Sequence, residues 1–218
     1  MNVGIIVALD AEYAQLQRLL GGSSEGVVAG NRIIVRKSGT GKVNAALKAA
    51  ELIKSHPLDC IISTGVAGGL DPQLASMDVV AAKEIVYHDV WCGEGNEYGQ
   101  MQGCPARFEC HPTLYNAAMS LDQRVHGGLI CSGDMFVTTR EEGVAIRGHF
   151  PDGLAIDMES GALAQTCHIY GIPFQSIRII SDAAGDDHQK DYDIFWKTVA
   201  DRAFDIIHEF LLALPNSL

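Results

Sequence analysis

The strongest constraint on this chain is a repeated switch between short apolar runs and stretches with helical spacing. Residues 3–8 are apolar throughout, and residues 59–64, 78–86, 128–131, 154–156 and 174–180 are short, largely apolar runs that read as further strands. A strand with no polar face needs cover on both sides. Between these runs, residues 10–20 place Leu16, Leu19 and Leu20 at helical spacing behind an acidic first turn. Residues 41–55 read as a helix with Val43, Ala46, Leu47, Ala50 and Ile53 on one face. Residues 112–121, 141–149, 158–170 and 193–214 read as further helices, the last stopped by Pro215. Residues 27–28 and 31–35 form a hairpin around Ala29-Gly30-Asn31.

Strands alternating with crossover helices predict an α/β fold. The expected form is a single-domain three-layer sandwich over residues 1–218, with a central mixed, mostly parallel sheet and helices on both faces. Such folds bind ligands where strands end at their carboxyl edge. Four polar turns follow such ends: residues 65–69, 132–134, 157–159 and 181–182. Residues 88–105 are glycine-rich and irregular, and loops of that length inside a domain are usually functional.

Composition narrows the function. The formal net charge is −11, with basic residues scattered singly. A nucleic-acid backbone needs clustered cations, so nucleic acid is not an expected partner. No apolar run reaches the roughly 18 residues of a membrane span. The start reads as a core strand and not as a signal peptide. The six cysteines include no CxxC pair. They read as reduced thiols in a cytoplasmic protein. His88-Asp89 and Cys110-His111 lack the spacing of metal ligands, so no metal is expected.

Ser38-Gly39-Thr40-Gly41-Lys42 invites a phosphate-loop reading, but Arg36 replaces its first glycine and Val43 its magnesium ligand. The loop remains able to cradle an anion or a hydroxyl at a helix start. Asp157-Met158-Glu159 places two acids at a helix start, where they serve as dipole partners or as a site. Asp182 follows a buried strand with no helix immediately after it, which weakens a capping role. Glu12, on spacing alone, is an acid matched to a helix dipole.

Together these segments resemble one family. Gly4-Ile5-Ile6 with Glu12, Ser38-Gly39-Thr40-Gly41-Lys42-Val43-Asn44-Ala45-Ala46 and Ser63-Thr64-Gly65-Val66-Ala67-Gly68-Gly69 are similar to the nucleoside phosphorylase and nucleosidase superfamily. Tyr87-His88-Asp89, Glu97-Tyr98-Gly99-Gln100, Ser132-Gly133-Asp134, Asp157-Met158-Glu159-Ser160 and Arg178-Ile179-Ile180-Ser181-Asp182 narrow this to the 5′-methylthioadenosine/S-adenosylhomocysteine nucleosidases. The resemblance implies hydrolysis of the base–ribose bond of 5′-modified adenine nucleosides. It implies Asp182 as the acid that protonates N7 of adenine and Glu12 as the base that activates water. Glu159 and Met158 would hold the ribose, Phe136 would stack on the base, and the backbone of Val137 would read its edge. Asp157, Arg178, Ser181, Val66 and Phe195 complete the implied binding set. The resemblance also implies that no cofactor is used, and a homodimer whose 88–105 segment reaches the neighbour's site.

An acid at Glu12 would repel phosphate, which favours hydrolysis over phosphorolysis. Val66 stands where many members carry Ser, and Gln102 where many carry an apolar residue, so the 5′-group is less determined than the base. An aminofutalosine nucleosidase, a phosphorylase and a non-catalytic nucleoside-binding protein are the alternative readings.

Overall fold

A computed structural model describes residues 1–121, 124–182 and 200–218, with the backbone alone at 182 and 200–203. Nine strands and six helices alternate along the described residues. They run β1 (Asn2–Val7), α1 (Asp10–Leu19), β2 (Glu25–Val28), β3 (Asn31–Lys37), α2 (Lys42–Ser55), β4 (Cys60–Gly69), β5 (Val79–Tyr87) and β6 (Phe108–Glu109). There follow α3 (Pro112–Met119), β7 (Val125–Ser132), α4 (Arg140–His149), β8 (Gly153–Asp157), α5 (Ser160–Tyr170), β9 (Phe174–Asp182) and α6 (Ala200–Ala213).

The strands form one mixed sheet in the order β2-β3-β1-β4-β8-β7-β5-β6, with β9 paired to both β4 and β5. Five of the nine pairings are parallel and four antiparallel. The double pairing of β9 closes β4, β8, β7, β5 and β9 into a five-strand ring. The expected three-layer sandwich is corrected on this point.

The cause lies in β4. Residues 65–69 read from sequence as a glycine-rich turn, yet they continue the strand. Residues 61–67 of β4 pair with β9, and the register breaks between Ala67 and Gly68. Gly68 and Gly69 then pair with Ile156 and Ala155 of β8. A bulge of this kind bends a strand and lets it serve two neighbours, which is how a sheet curls.

Helices still cover both faces. On one face α1, α3 and α6 contribute Leu16, Leu114, Ile206 and Phe210 to a core with β1 and β3. On the other, α2 and α5 contribute Ala45, Ala49, Leu52, Leu163 and Cys167. The α2 face is rotated from its expected position. Ala45, Ala49 and Leu52 are buried, whereas Val43 and Leu47 are exposed. The inward stripe uses small residues because α2 lies against α5, another helix of small residues.

The six cysteines are free thiols, and Cys60, Cys110, Cys131 and Cys167 are buried. Burial pushes the Cys60 and Cys110 thiols up to about 12, so these behave as small hydrophobes. Among the described residues no helix is long and apolar enough to cross a membrane.

Candidate active site

The carboxyl ends of β1, β4, β8 and β9 and the segment after β7 converge on a cavity of about 490 Å³. That is the size of a small-molecule site. Glu12, Val66, Phe136, Val137, Asp157, Met158, Glu159 and Ser181 all border it. Phe136 is half-exposed on its wall, and Val137 packs against the buried cluster that includes Leu129, Ile146 and Phe150. Asp182 closes β9 with its backbone opposite Gly68, which also lines the cavity; its side chain lies outside the described residues, as does Phe195.

Glu12 is the first anchor. It sits in the opening turn of α1 and is buried. Its Oε2 accepts from the backbone N–H groups of Ala8 and Leu9, each at 2.9 Å. Its Oε1 accepts from the N–H of Val66 at 3.1 Å. Burial pushes its carboxyl above the ordinary range, against those N–H groups and the Arg178 charge. The result is a fixed carboxylate of raised basicity. The surface role that spacing alone assigned to it is corrected, because β4 passes directly over it at Gly65. A Cβ on Gly65 would fall 2.3 Å from Glu12 Oε1.

Glu159 is the second anchor. Its Oε1 accepts from the N–H of Gly41 at 2.9 Å. Burial and the neighbouring Asp157 raise its carboxyl to about 7, while Arg178 and the Gly41 N–H oppose that rise. Beneath it lies a buried ion pair: Arg178 Nε donates to Asp157 Oδ2 at 2.6 Å, with side chains 3% and 1% exposed. Arg178 also donates to Ser63 Oγ at 2.8 Å and Ser160 Oγ at 3.0 Å. Ser160 in turn donates to Asp157 through its hydroxyl and its N–H. Asp157 and Arg178 are thereby spent largely on each other, and they orient what lies above them. A small cavity of about 10 Å³ is bordered by Glu12, Ser38, Ser63, Glu159 and Arg178, room for about one water molecule.

The glycine-rich loop before α2 holds an anion, but the anion is the protein's own. Gly41 donates to Glu159, and the N–H of Lys42 donates to Asp134 Oδ1 at 2.7 Å. Two carboxylates occupy donors that a phosphate would need. Sequence reading missed this arrangement, as it missed the face of α4 formed by Arg140, Gly143, Val144 and Arg147, which closes the cavity. The spacing of these four on one helix face was the available signal. Among the described residues no cluster of His, Cys, Asp or Glu is arranged to hold a metal ion.

Comparison with known proteins agrees with this geometry. Residues 2–212 match the model of the phosphorylase superfamily. The 5′-methylthioadenosine/S-adenosylhomocysteine nucleosidase of Geobacillus kaustophilus is 36% identical, over 99% of both chains. That of Pseudoalteromonas translucida is 37% identical, over 92% of both. The Streptococcus pneumoniae nucleosidase, solved with the transition-state inhibitor MT-ImmA, superposes with a TM-score of 0.91 at 35% identity, covering 99% of this chain and 100% of that one. The Colwellia psychrerythraea enzyme, solved with adenine, gives 0.91 at 34% identity, covering 100% and 97%. With the fold, the cavity and the full length of the sequence in agreement, the chain belongs to the phosphorylase superfamily and, within it, to the 5′-methylthioadenosine/S-adenosylhomocysteine nucleosidases.

Proposed function

We propose that this chain hydrolyses the N-glycosidic bond of 5′-methylthioadenosine and S-adenosylhomocysteine and releases adenine. The observation that carries this reading is the buried Glu12 carboxylate, fixed by three backbone N–H groups beside a space for one water. The self-occupied loop at α2 supports water over phosphate as nucleophile, since the donors of Gly41 and Lys42 are already taken.

The reaction needs a proton on the leaving base, because an anionic purine leaves poorly. Asp182, at the cavity end of β9, supplies it to N7. Phe136 stacks on the base and the backbone of Val137 reads its edge. Glu159 and Met158 hold the ribose hydroxyls, and the negative charge nearby stabilises an oxocarbenium-like transition state. Glu12 takes the proton of the attacking water. Ser181 supports the strand end through its hydroxyl, which donates to the Ala67 carbonyl at 3.3 Å. Val66 contributes its N–H to Glu12, a contact its side chain does not alter.

The chain works as one catalytic unit in the cytoplasm. It pairs as a homodimer through α2 and the 88–105 segment. Val43 and Leu47, one turn apart on α2, and Trp91 in the 88–105 segment support this, being 69%, 66% and 59% exposed.

The test is a panel of methylthioadenosine, adenosylhomocysteine, aminofutalosine, adenosine and inosine, with and without phosphate, scored for free base. Adenine release from the first two without phosphate is expected. Strict phosphate dependence would mark a phosphorylase, and preference for aminofutalosine a different 5′-group. Tight binding with no release would mark a binding protein. In the same assay Asp182→Asn is expected to abolish adenine release in a folded protein, and near-normal turnover would remove Asp182 as the acid.

Gly65→Ala gives a further check. The added methyl meets the Glu12 carboxylate at a distance no real contact tolerates, so the carboxylate must move. The expected result is a fall in kcat of up to about a hundredfold, since a displacement of about 1 Å has that effect on a catalytic group. Steady-state kinetics beside a thermal melt would separate this from a loss of fold.

A further inference from the structure

Near the start of α2 three charged side chains form a cluster that the reaction as described does not use. Lys42 Nζ donates to both oxygens of Asp89, at 3.0 and 2.8 Å. Asp89 Oδ2 also accepts the N–H of Asp134 at 2.8 Å. Asp134 Oδ1 accepts the N–H of Lys42, and Lys42 Nζ lies 3.9 Å from Asp134 Oδ2. The ammonium also lies 5.2 Å over the ring of Tyr87. The three side chains are 24%, 24% and 46% exposed for Lys42, Asp89 and Asp134. A partly exposed ion pair contributes only modestly to stability, and the closed triangle of contacts also links two walls of the cavity.

Asp134 stands two residues before Phe136, on the wall assigned to the base. Lys42 follows Gly41, whose N–H holds Glu159, the carboxylate assigned to the sugar. Gly41 has φ +93°, a left-handed conformation that suits glycine, and a Cβ there would fall 2.9 Å from Asp134 Oδ1. The neighbouring His88 reinforces the same turn. Its N–H donates to the Ser132 carbonyl at 3.0 Å, and its ring fills the space beside Gly133, where a Cβ would meet Nε2 at 2.6 Å.

We propose that Asp89, Lys42 and Asp134 form one positioning unit that fixes the base wall of the cavity to the helix start that orients the sugar-holding Glu159. The unit acts through Phe136 and Gly41 and touches no substrate. It rests on the assignment of Phe136 to the base and Glu159 to the ribose. Loosening it has two consequences of different kinds. The base wall drifts, which weakens binding of the base. The Gly41 N–H loses its aim, and Glu159 then titrates higher. The charged groups facing Glu159 are Asp157, Arg178 and Glu12, and none belongs to the unit.

The experiment compares Lys42→Met, Asp89→Asn and the double variant with the unaltered chain. The readouts are adenine affinity by calorimetry, kcat and KM, and the pH dependence of kcat. Each single variant is expected to lower kcat/KM by roughly tenfold to a hundredfold, mostly through KM, with weaker adenine binding. The acid limb of the pH profile, to which ionisation of Glu159 contributes alongside that of Glu12, moves upward. The double variant is no worse than the weaker single, since members of one unit do not add. Asp89→Asn keeps an acceptor for the Asp134 N–H and serves if Lys42→Met does not fold. A lower melting temperature with unchanged adenine affinity and an unmoved acid limb would overturn the proposal, as would multiplying effects. If the unaltered chain itself neither binds nor releases adenine, the functional assignment fails instead.

Discussion

Glu12→Gln is expected to lower kcat by roughly 10²–10⁴-fold, the range for losing a positioned general base, with much less change in KM. An interaction needed only in the transition state has that signature. The local geometry sharpens the expectation. Both carboxylate oxygens of Glu12 accept backbone N–H groups, Oε2 from Ala8 and Leu9 and Oε1 from Val66. An amide has one acceptor and one donor end, so either orientation turns an NH₂ group against an N–H. At least one buried N–H is left unsatisfied, at a cost of about 1–3 kcal/mol. The variant should therefore be less stable as well as slow. Glu12→Asp keeps the charge but is one methylene shorter and does not span all three donors, so it should also lose activity. Adenine release by a spectroscopic assay, with calorimetric adenine binding as the control for fold, decides the matter. Turnover by Glu12→Gln close to that of the unaltered chain would remove Glu12 as the base.

How much of this site was legible beforehand differs residue by residue, for physical reasons. Strands doubly covered by helices are rich in apolar residues, so β1 and the apolar parts of β5 and β9 stand out in the sequence. Asp182 drew attention in the sequence because it ends such a strand with no helix signal directly after it, and its role as the acid is the one proposed above. Glu12 was not visible as a buried group. An acid in the first turn of a helix has the same spacing whether it faces solvent or a core, and only the passage of β4 over it at Gly65 decides. That passage was hidden because residues 65–69 look like a turn. Glycine marks turns, but it also marks places where a strand must bend or pass close to another group.

The ring closure was hidden for a related reason. It depends on β9 pairing with β4 and β5 together, and no local pattern reports which two neighbours a strand will have. The orientation of α2 failed differently. Val43 and Leu47 count as core in any hydrophobic tally, yet the buried stripe is Ala45, Ala49 and Leu52. A helix packed closely on another helix takes its small residues inward. The larger ones turn outward and are free for the dimer contact proposed above. The self-occupied glycine loop was half legible: the sequence allowed an anion or hydroxyl cradle at the helix start but not that Glu159 and Asp134 fill it.

Arg178→Met is expected to destabilise the fold by about 3–5 kcal/mol, the usual cost of breaking a buried ion pair from one side. Arg178 is 2% exposed and donates to Asp157, Ser63 and Ser160. Methionine matches much of its volume but carries no charge. Asp157 would be left as a buried carboxylate beside Glu159, with Ser160 its remaining donor. Burial works against the guanidinium charge, but Asp157, Glu159 and Glu12 together outweigh it and hold Arg178 firmly protonated. The cation thus lets three carboxyl groups share one small volume. Without it, Glu159 and Glu12 both lose a charge that favours their ionised forms, so activity near neutral pH should fall even where the protein remains folded. Asp157→Asn in the Arg178→Met background removes the stranded charge and should recover part of the lost stability, because directly paired groups do not contribute additively. Urea denaturation of the two single variants and the double variant would measure this. Strictly additive losses would mean that the pair is not the unit supporting the floor of the site, and that Arg178 acts mainly through its serine contacts.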